Sequence, residues 1–226
     1  YIVGEDQNLE GIVIHAIWSK GDPTPVNLSE VTINGYDKNF HGVQKITLRY
    51  KAAETTLTVT TLKEDNQDNP KMIKVYFTLL GDKIHDSDTD GKVHTLETGG
   101  LETWIERKAY SVSVNATVKE VFEKALTEAN YTWRNKSGNY VQGITKPGIK
   151  EELAEFTNGA NSGWMYTLNG KHPAFGVAEQ YLRNDDIIIF HYTDNYIYEP
   201  DTKEWVGSTD EVKNVTPSGA AGSAST

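Results

Sequence analysis

The chain has 226 residues, enough for two ordinary domains that each bury a core. Its 32 acidic and 22 basic side chains give a net charge of −10, which disfavours a nucleic-acid or anionic-membrane partner, since either needs a basic patch. Cysteine is absent, which removes disulfides, thiolate metal sites and cysteine nucleophiles together.

No apolar run reaches membrane-spanning length, so no membrane insertion is expected of this segment, and no signal peptide is recognisable. Tyr1-Ile2-Val3-Gly4 reads as domain interior, so the chain is expected to be a piece of something longer, joined to further modules. A cysteine-free, acidic β sequence rich in Thr, Asn and Tyr suits an exported, extracellular protein on a bacterial surface, or one secreted from it.

Residues 1–62 contain only strand-like segments. Ile12 to Trp18 comes first, then a Gly21-Asp22-Pro23 turn, Val31 to Ile33, and the Asn34-Gly35-Tyr36-Asp37 step. Val43 to Tyr50 and Thr55 to Leu62 alternate with a period of two. Short β runs with a turn every ten or so residues predict a sandwich. The GIVIHA run from Gly11, the NGYD step, HGVQKITLRY and TTLTVTTL resemble the bacterial immunoglobulin-like domains repeated in surface proteins of Gram-positive bacteria. The resemblance implies a stalk spacer. Residues 63–71 (KEDNQDNPK) are polar and broken by Pro70, and read as an interdomain linker.

The pattern restarts at Met72. Ile73, Val75, Phe77 and Leu79 share one strand face, and Gly81-Asp82 ends the strand. Thr103 to Glu106 and Tyr110 to Val114 read as a second strand pair. Thr117 and Glu120 form a capping box, and Val118, Val121, Phe122, Ala125, Leu126 and Ala129 follow at helical spacing, so one helix is predicted over about 118–129. Tyr131 to Trp133 and Tyr140-Val141 read as short strands, and Lys150 to Glu155 as a helical turn. A meander from Asn161 to Tyr192 closes the domain. It is built on Trp164 to Leu168, the type I′ turn signal Asn169-Gly170, a reversal at Asn184-Asp185-Asp186, and the strand Ile187 to Phe190.

A strand pair, one helix and a mixed meander predict a β-grasp α+β domain over 72–196. The chain as a whole is therefore mostly β, in two domains. The loop GDKIH, Leu101 to Ile105, the helix, NSGWMYTLNGK and DDIIIFHYT resemble the C-terminal β-grasp domain of transcobalamin and intrinsic factor, a soluble-ligand-binding family. The resemblance implies one wall of a corrinoid site, here without the large helical partner of the vertebrate relatives. Residues 197–226 end in TPSGAAGSAST and read as an extended linker or tail.

Asp86-Ser87-Asp88-Thr89-Asp90-Gly91-Lys92-Val93-His94-Thr95-Leu96-Glu97 matches the twelve-residue calcium loop in spacing. Oxygens would come from Asp86, Asp88, Asp90, the Lys92 carbonyl and a bidentate Glu97. The alternative is an acidic solvated turn, because a strand rather than a helix precedes it. His85, just before the loop, and His94, within it, suggest zinc instead, but six histidines scattered along a chain commonly include such neighbours.

Trp104, Trp133, Trp164, Tyr166, Tyr181 and Tyr192 would suit a corrin ring or a sugar, against the simpler reading that each is core. Trp164, Tyr166, His172, Pro173 and Phe175 are the candidate ligand contacts, with His172-Pro173 at an exposed edge. For catalysis the signals are poor. Ser162 lacks a nucleophile elbow, Asp185-Asp186 serves a turn, Glu151, Glu152 and Glu155 suit a solvated face, and no phosphate loop or dinucleotide fingerprint occurs. The expectation is a non-catalytic binding module whose ligand is a corrinoid or another small molecule. The rival is a structural or adhesive part contacting a surface protein or cell-wall glycan.

Overall fold

A computed structural model describes residues 1–65, 69–86, 93–135 and 138–202. The chain divides into two compact units, Tyr1–Asn66 and Gln67–Thr226.

The first unit is all β, as the alternating runs predict. β1 (Ile14–Ala16) pairs with β2 (Thr24–Val26), and β3 (Thr32–Asn34), β4 (Gly42–Tyr50) and β5 (Ala53–Thr61) form a second antiparallel sheet. Val43, Ile46 and Leu48 are its buried apolar residues. Between the two small sheets lies an apolar cleft lined by Ile14, Trp18, Val26, Leu48 and Tyr50. The Gln44 amide nitrogen donates to Thr61 Oγ1 at 2.8 Å and to the Asp37 carbonyl at 3.0 Å, tying the turn before β4 to the end of β5.

The second unit is α+β. Its main sheet has the order β11-β12-β6-β7, where β6 is Met72–Gly81, β7 Glu102–Ser113, β11 Gly163–Leu168 and β12 Ile187–Thr193. β12 runs parallel to β6 and every other pairing is antiparallel, the mixed arrangement that the β-grasp reading requires. A smaller sheet holds β8 (Thr132–Asn135), β9 (Val141–Thr145) and β10 (Glu152–Ala154).

α1 (Val118–Glu128) forms where the capping box places it. Glu120 Oε1 accepts the Thr117 backbone N–H at 3.2 Å, supplying one of the donors a helix start leaves unpaired. At the other end Asn130 takes φ +59°, and Tyr131 N–H reaches the Leu126 carbonyl while Asn130 N–H reaches that of Thr127. This is a Schellman ending, with Asn in the left-handed position. The buried stripe Val118, Val121, Phe122, Ala125 and Leu126 faces Val75, Phe77, Leu79, Ile188, Phe190 and Trp164 in one core. Phe122 contacts Phe77, Trp133 and Phe190 at ring-centroid distances of 6.3, 5.2 and 4.5 Å.

Three elements differ from the sequence reading. Residues 102–113 form one continuous strand instead of a pair, because register shifts around Phe77–Leu80 absorb the mismatch and keep β7 on β6. Residues 152–154 are a strand rather than a helical turn: a six-residue segment is too short to sustain a helix, and pairing with β9 satisfies its backbone. Residues 197–202, expected to begin an extended tail, fold back on the domain. A 3-10 turn covers Tyr196–Tyr198, and Glu199 and Thr202 are buried. The rest of the expected tail, 203–226, lies outside the described residues.

Candidate functional site

The parallel pairing of β6 with β12 places Leu80 opposite His191, so both strands end at the same edge of the sheet. Asp82 follows β6 and Asp194 follows β12, and the two carboxylates meet there. Their side chains are 2% and 0% exposed. Two imidazoles close over them. His85 Nε2 lies 3.3 Å from Asp82 Oδ2 and 3.3 Å from Asp194 Oδ2. His94 Nδ1 lies 2.9 Å from Asp82 Oδ2 and 4.0 Å from Asp194 Oδ2. The imidazoles keep an open side, at 13% and 24% exposure.

A second layer holds these groups. The Asn158 amide nitrogen donates to Asp194 Oδ1 at 3.0 Å and to the Lys83 carbonyl at 2.8 Å, while Asn158 Oδ1 accepts the His85 backbone N–H at 3.1 Å. Ser162 Oγ in turn accepts the Asn158 backbone N–H at 3.1 Å. Asp194 Oδ2 accepts the His94 N–H at 2.7 Å, and Asp82 Oδ1 that of Lys83 at 2.7 Å. The His94 ring lies against Gly100 (φ +92°), where an added Cβ would fall 2.2 Å from the ring; only glycine permits both the backbone and the approach. Burial pushes the Asp194 carboxyl above the usual range, opposed by the hydrogen bonds it accepts.

A second histidine cluster sits on the sheet face away from α1, where His191 pairs across from Met165. His172, His191 and Glu199 are all buried. His172 Nδ1 faces the Pro200 carbonyl at 2.8 Å, which can only accept, so the proton is on Nδ1. His172 Nε2 is then left as an acceptor, 3.0 Å from His191 Nε2, while His191 Nδ1 faces the Tyr192 carbonyl at 3.1 Å. Glu199 Oε1 stands 3.6 Å from His191 Nδ1 and accepts the Leu96 N–H at 3.2 Å. Desolvation pushes Glu199 up to about 7 and His191 down to about 3, both toward the neutral form. Glu199, His191 and His172 are thus all pushed toward their neutral forms, and the cluster reads as a dry polar brace.

Of the expected ligand contacts, Trp164 and Tyr166 belong to the core, at 0% and 1% exposure. The Trp164 Nε1–H donates to the Leu153 carbonyl at 2.8 Å, and the Tyr166 hydroxyl to that of Phe175 at 2.5 Å. Their rings offer no face to a ligand, because β11 is covered on both sides. His172 is buried in the brace rather than exposed at an edge; Pro173 and Phe175 are half-buried. In the expected calcium loop, Asp86 and Glu97 are exposed, while Asp88, Asp90 and Lys92 lie outside the described residues. Asp185 and Asp186 serve their turn: Asp186 Oδ2 accepts the Arg183 N–H at 2.7 Å and Asp185 faces Lys74 at 3.7 Å.

The sequence pointed at His85 and His94 but not at Asp82, Asn158, Asp194, His191 or Glu199. The one local signal for Asp82 and Asp194 is that each follows an apolar strand. No curated protein matches the chain. Residues 115–194 match the model of a domain of unknown function, DUF4430, which takes in α1, the meander and Asp194. Residues 1–61 match the model of bacterial Ig-like domains, group 3, a similarity that suggests a surface or structural module for the N-terminal unit.

Proposed function

We propose that this chain is a non-catalytic, extracellular binding module: the immunoglobulin-like unit acts as spacer and the α+β unit as binding head. The observation that carries this reading is the polar cluster at the end of β6 and β12. A pure spacer gains nothing from enclosing two carboxylates and two imidazoles, because desolvating such groups is costly unless they serve a ligand or a switch. No catalytic role is part of this reading; among the described residues no nucleophile with an adjacent base was identified.

The sequence resemblance to the transcobalamin C-terminal domain makes a corrinoid the first ligand class to test. With Trp164 and Tyr166 enclosed, contacts would fall to Pro173, Phe175 and the polar rim. Titration of the chain with cobalamin and with cobinamide, followed by absorbance, is expected to show a saturable shift. An unchanged spectrum at millimolar ligand ends the corrinoid reading.

A structural or adhesive role, contacting a protein or cell-wall glycan, is the second reading. The apolar residues Val13, Ile17 and Trp18 of the first unit favour it, being 73%, 84% and 44% exposed. Sedimentation of the chain with purified cell walls, compared with an Ile17→Asp, Trp18→Ser variant, tests it; equal sedimentation of the two proteins counts against that patch.

A further inference from the structure

We propose that Asp82, His85, His94 and Asp194 form a four-coordinate site for a divalent transition ion of the zinc class. The inference concerns the cluster on which the binding-head reading rests, but it requires no organic ligand.

Geometry comes first. Bonds of about 2.0–2.1 Å in a tetrahedron give donor–donor edges of about 3.3–3.4 Å. Four of the six edges in this cluster, those from each imidazole to each carboxylate, are 2.9, 3.3, 3.3 and 4.0 Å, and one donor atom from each residue lies within 4.8 Å of the others. The four bracket the ideal value, so an ion could seat itself through small side-chain movements that draw the longer edges in.

Charge points the same way. Among the described residues no lysine or arginine pairs with Asp82 or Asp194, although both side chains are almost fully enclosed. A dication would balance the two carboxylates with the imidazoles left neutral, which is the form that ligates. The outer layer is also present, in the Asn158 bond to Asp194 and the Gly100 floor under His94. The exposed edges of His85 and His94 supply a path from solvent.

The donor set selects the ion. Two imidazole nitrogens and two carboxylates suit zinc, cobalt or nickel; calcium takes six to eight oxygens and gains little from imidazole. The ion-selective part of this segment is therefore the pair His85 and His94, one just before the aspartate-rich loop and one within it. The loop's own carboxylates are not needed.

The test uses the full chain, stripped with chelator and then titrated with zinc, with calcium as comparator, in the absence of any corrinoid. The expected result is one equivalent of zinc per chain, a rise in melting temperature with zinc and none with calcium. Cobalt should give the visible d–d absorption of a tetrahedral site. Asp82→Asn and His94→Ala should each weaken zinc binding by at least 100-fold, Asn158→Ala by about 10- to 100-fold, and His191→Gln not at all. Failure of the stripped, folded chain to take up zinc or cobalt would overturn the proposal, as would binding that survives His94→Ala but is lost in Asp88→Asn, Asp90→Asn. Because the cobalt spectrum is read on the unaltered chain, a variant that does not fold leaves the result decisive. A chain that binds zinc but no corrinoid fails the ligand reading alone.

Discussion

The α+β unit builds two clusters from the same residue types and gives them opposite surroundings. At the end of β6 and β12, His85 and His94 remain partly open to water above two enclosed carboxylates. Behind the sheet, His172, His191 and Glu199 are sealed, and the two imidazoles bond to each other and to backbone. The difference shows that histidine and carboxylate are not themselves a site. Where two enclosed carboxylates meet no lysine or arginine among the described residues and an imidazole edge is open, a cation can be received. Where a single carboxyl meets two imidazoles in a dry place, desolvation neutralises all three.

The contrast can be broken most strongly at Asp194. Asp194→Ala removes the acceptor of the His94 N–H and of Asn158 while leaving the Asp82 carboxylate enclosed beneath the two imidazoles. About 3 kcal/mol of stability should be lost in urea denaturation. Next is His191→Ala in the sealed brace, which removes the ring packed on His172 Nε2 and opens a cavity; about 2 kcal/mol should be lost, with zinc uptake unchanged. A loss of zinc uptake in that variant would merge the two clusters.

The third prediction is a pH dependence that belongs to the sealed cluster. Glu199 is raised from 4.5 to about 7, so between these values the folded chain holds a proton that the unfolded chain has lost. Stability from this group is complete below the lower value and falls as pH rises to the upper one. His191, lowered from 6.5 to about 3, acts oppositely: its contribution is present above the ordinary histidine value and is lost as pH falls toward 3. The two oppose each other over their common range. Glu199→Gln removes one arm. The variant should therefore gain stability relative to the parent by about 1.4 kcal/mol per pH unit across that rise. Parallel stability–pH curves for the two proteins would mean that Glu199 does not take up a proton on folding. Smallest is Gly100→Ala, expected to cost about 1 kcal/mol through strain at positive φ. Its added methyl should also displace the His94 ring and weaken zinc binding, sharpening the contrast without touching a ligand atom.

Much of the fold was legible because its signals are local. Asn169 and Gly170 both take positive φ in the two-residue turn where their side chains called for it. Thr117 with Glu120 starts α1, and Ile73, Val75, Phe77 and Leu79 are buried on alternate positions as their spacing requires. Where the local signal was short or polar it failed: residues 152–154 became a strand because β9 was available to pair with them, and residues 107–109 stayed in β7 although the sequence reading broke the strand there.

The candidate site was legible only at its edge. The aspartate-rich loop drew notice to residues 86–97, and with it to His85 and His94, because a calcium-loop spacing is a short-range pattern. Asp82 and Asp194 are 112 positions apart and share no motif; only the parallel pairing of β6 with β12 brings their carboxylates together. The aromatic contacts failed for a related reason. Whether Trp164 faces a ligand or a core depends on what covers β11, and β11 is covered on both sides.

By itself the sequence determined the two-part organisation, the all-β first unit, the capped helix and the tryptophan-led hairpin, since each depends on periodicity or turn chemistry within a few residues. Only the tertiary structure decided which histidines stay open to solvent, which carboxylates they meet and which aromatics are enclosed. Those outcomes depend on strand order and on segments such as 196–202 folding back onto the sheet, where long-range packing sets burial, and burial sets charge.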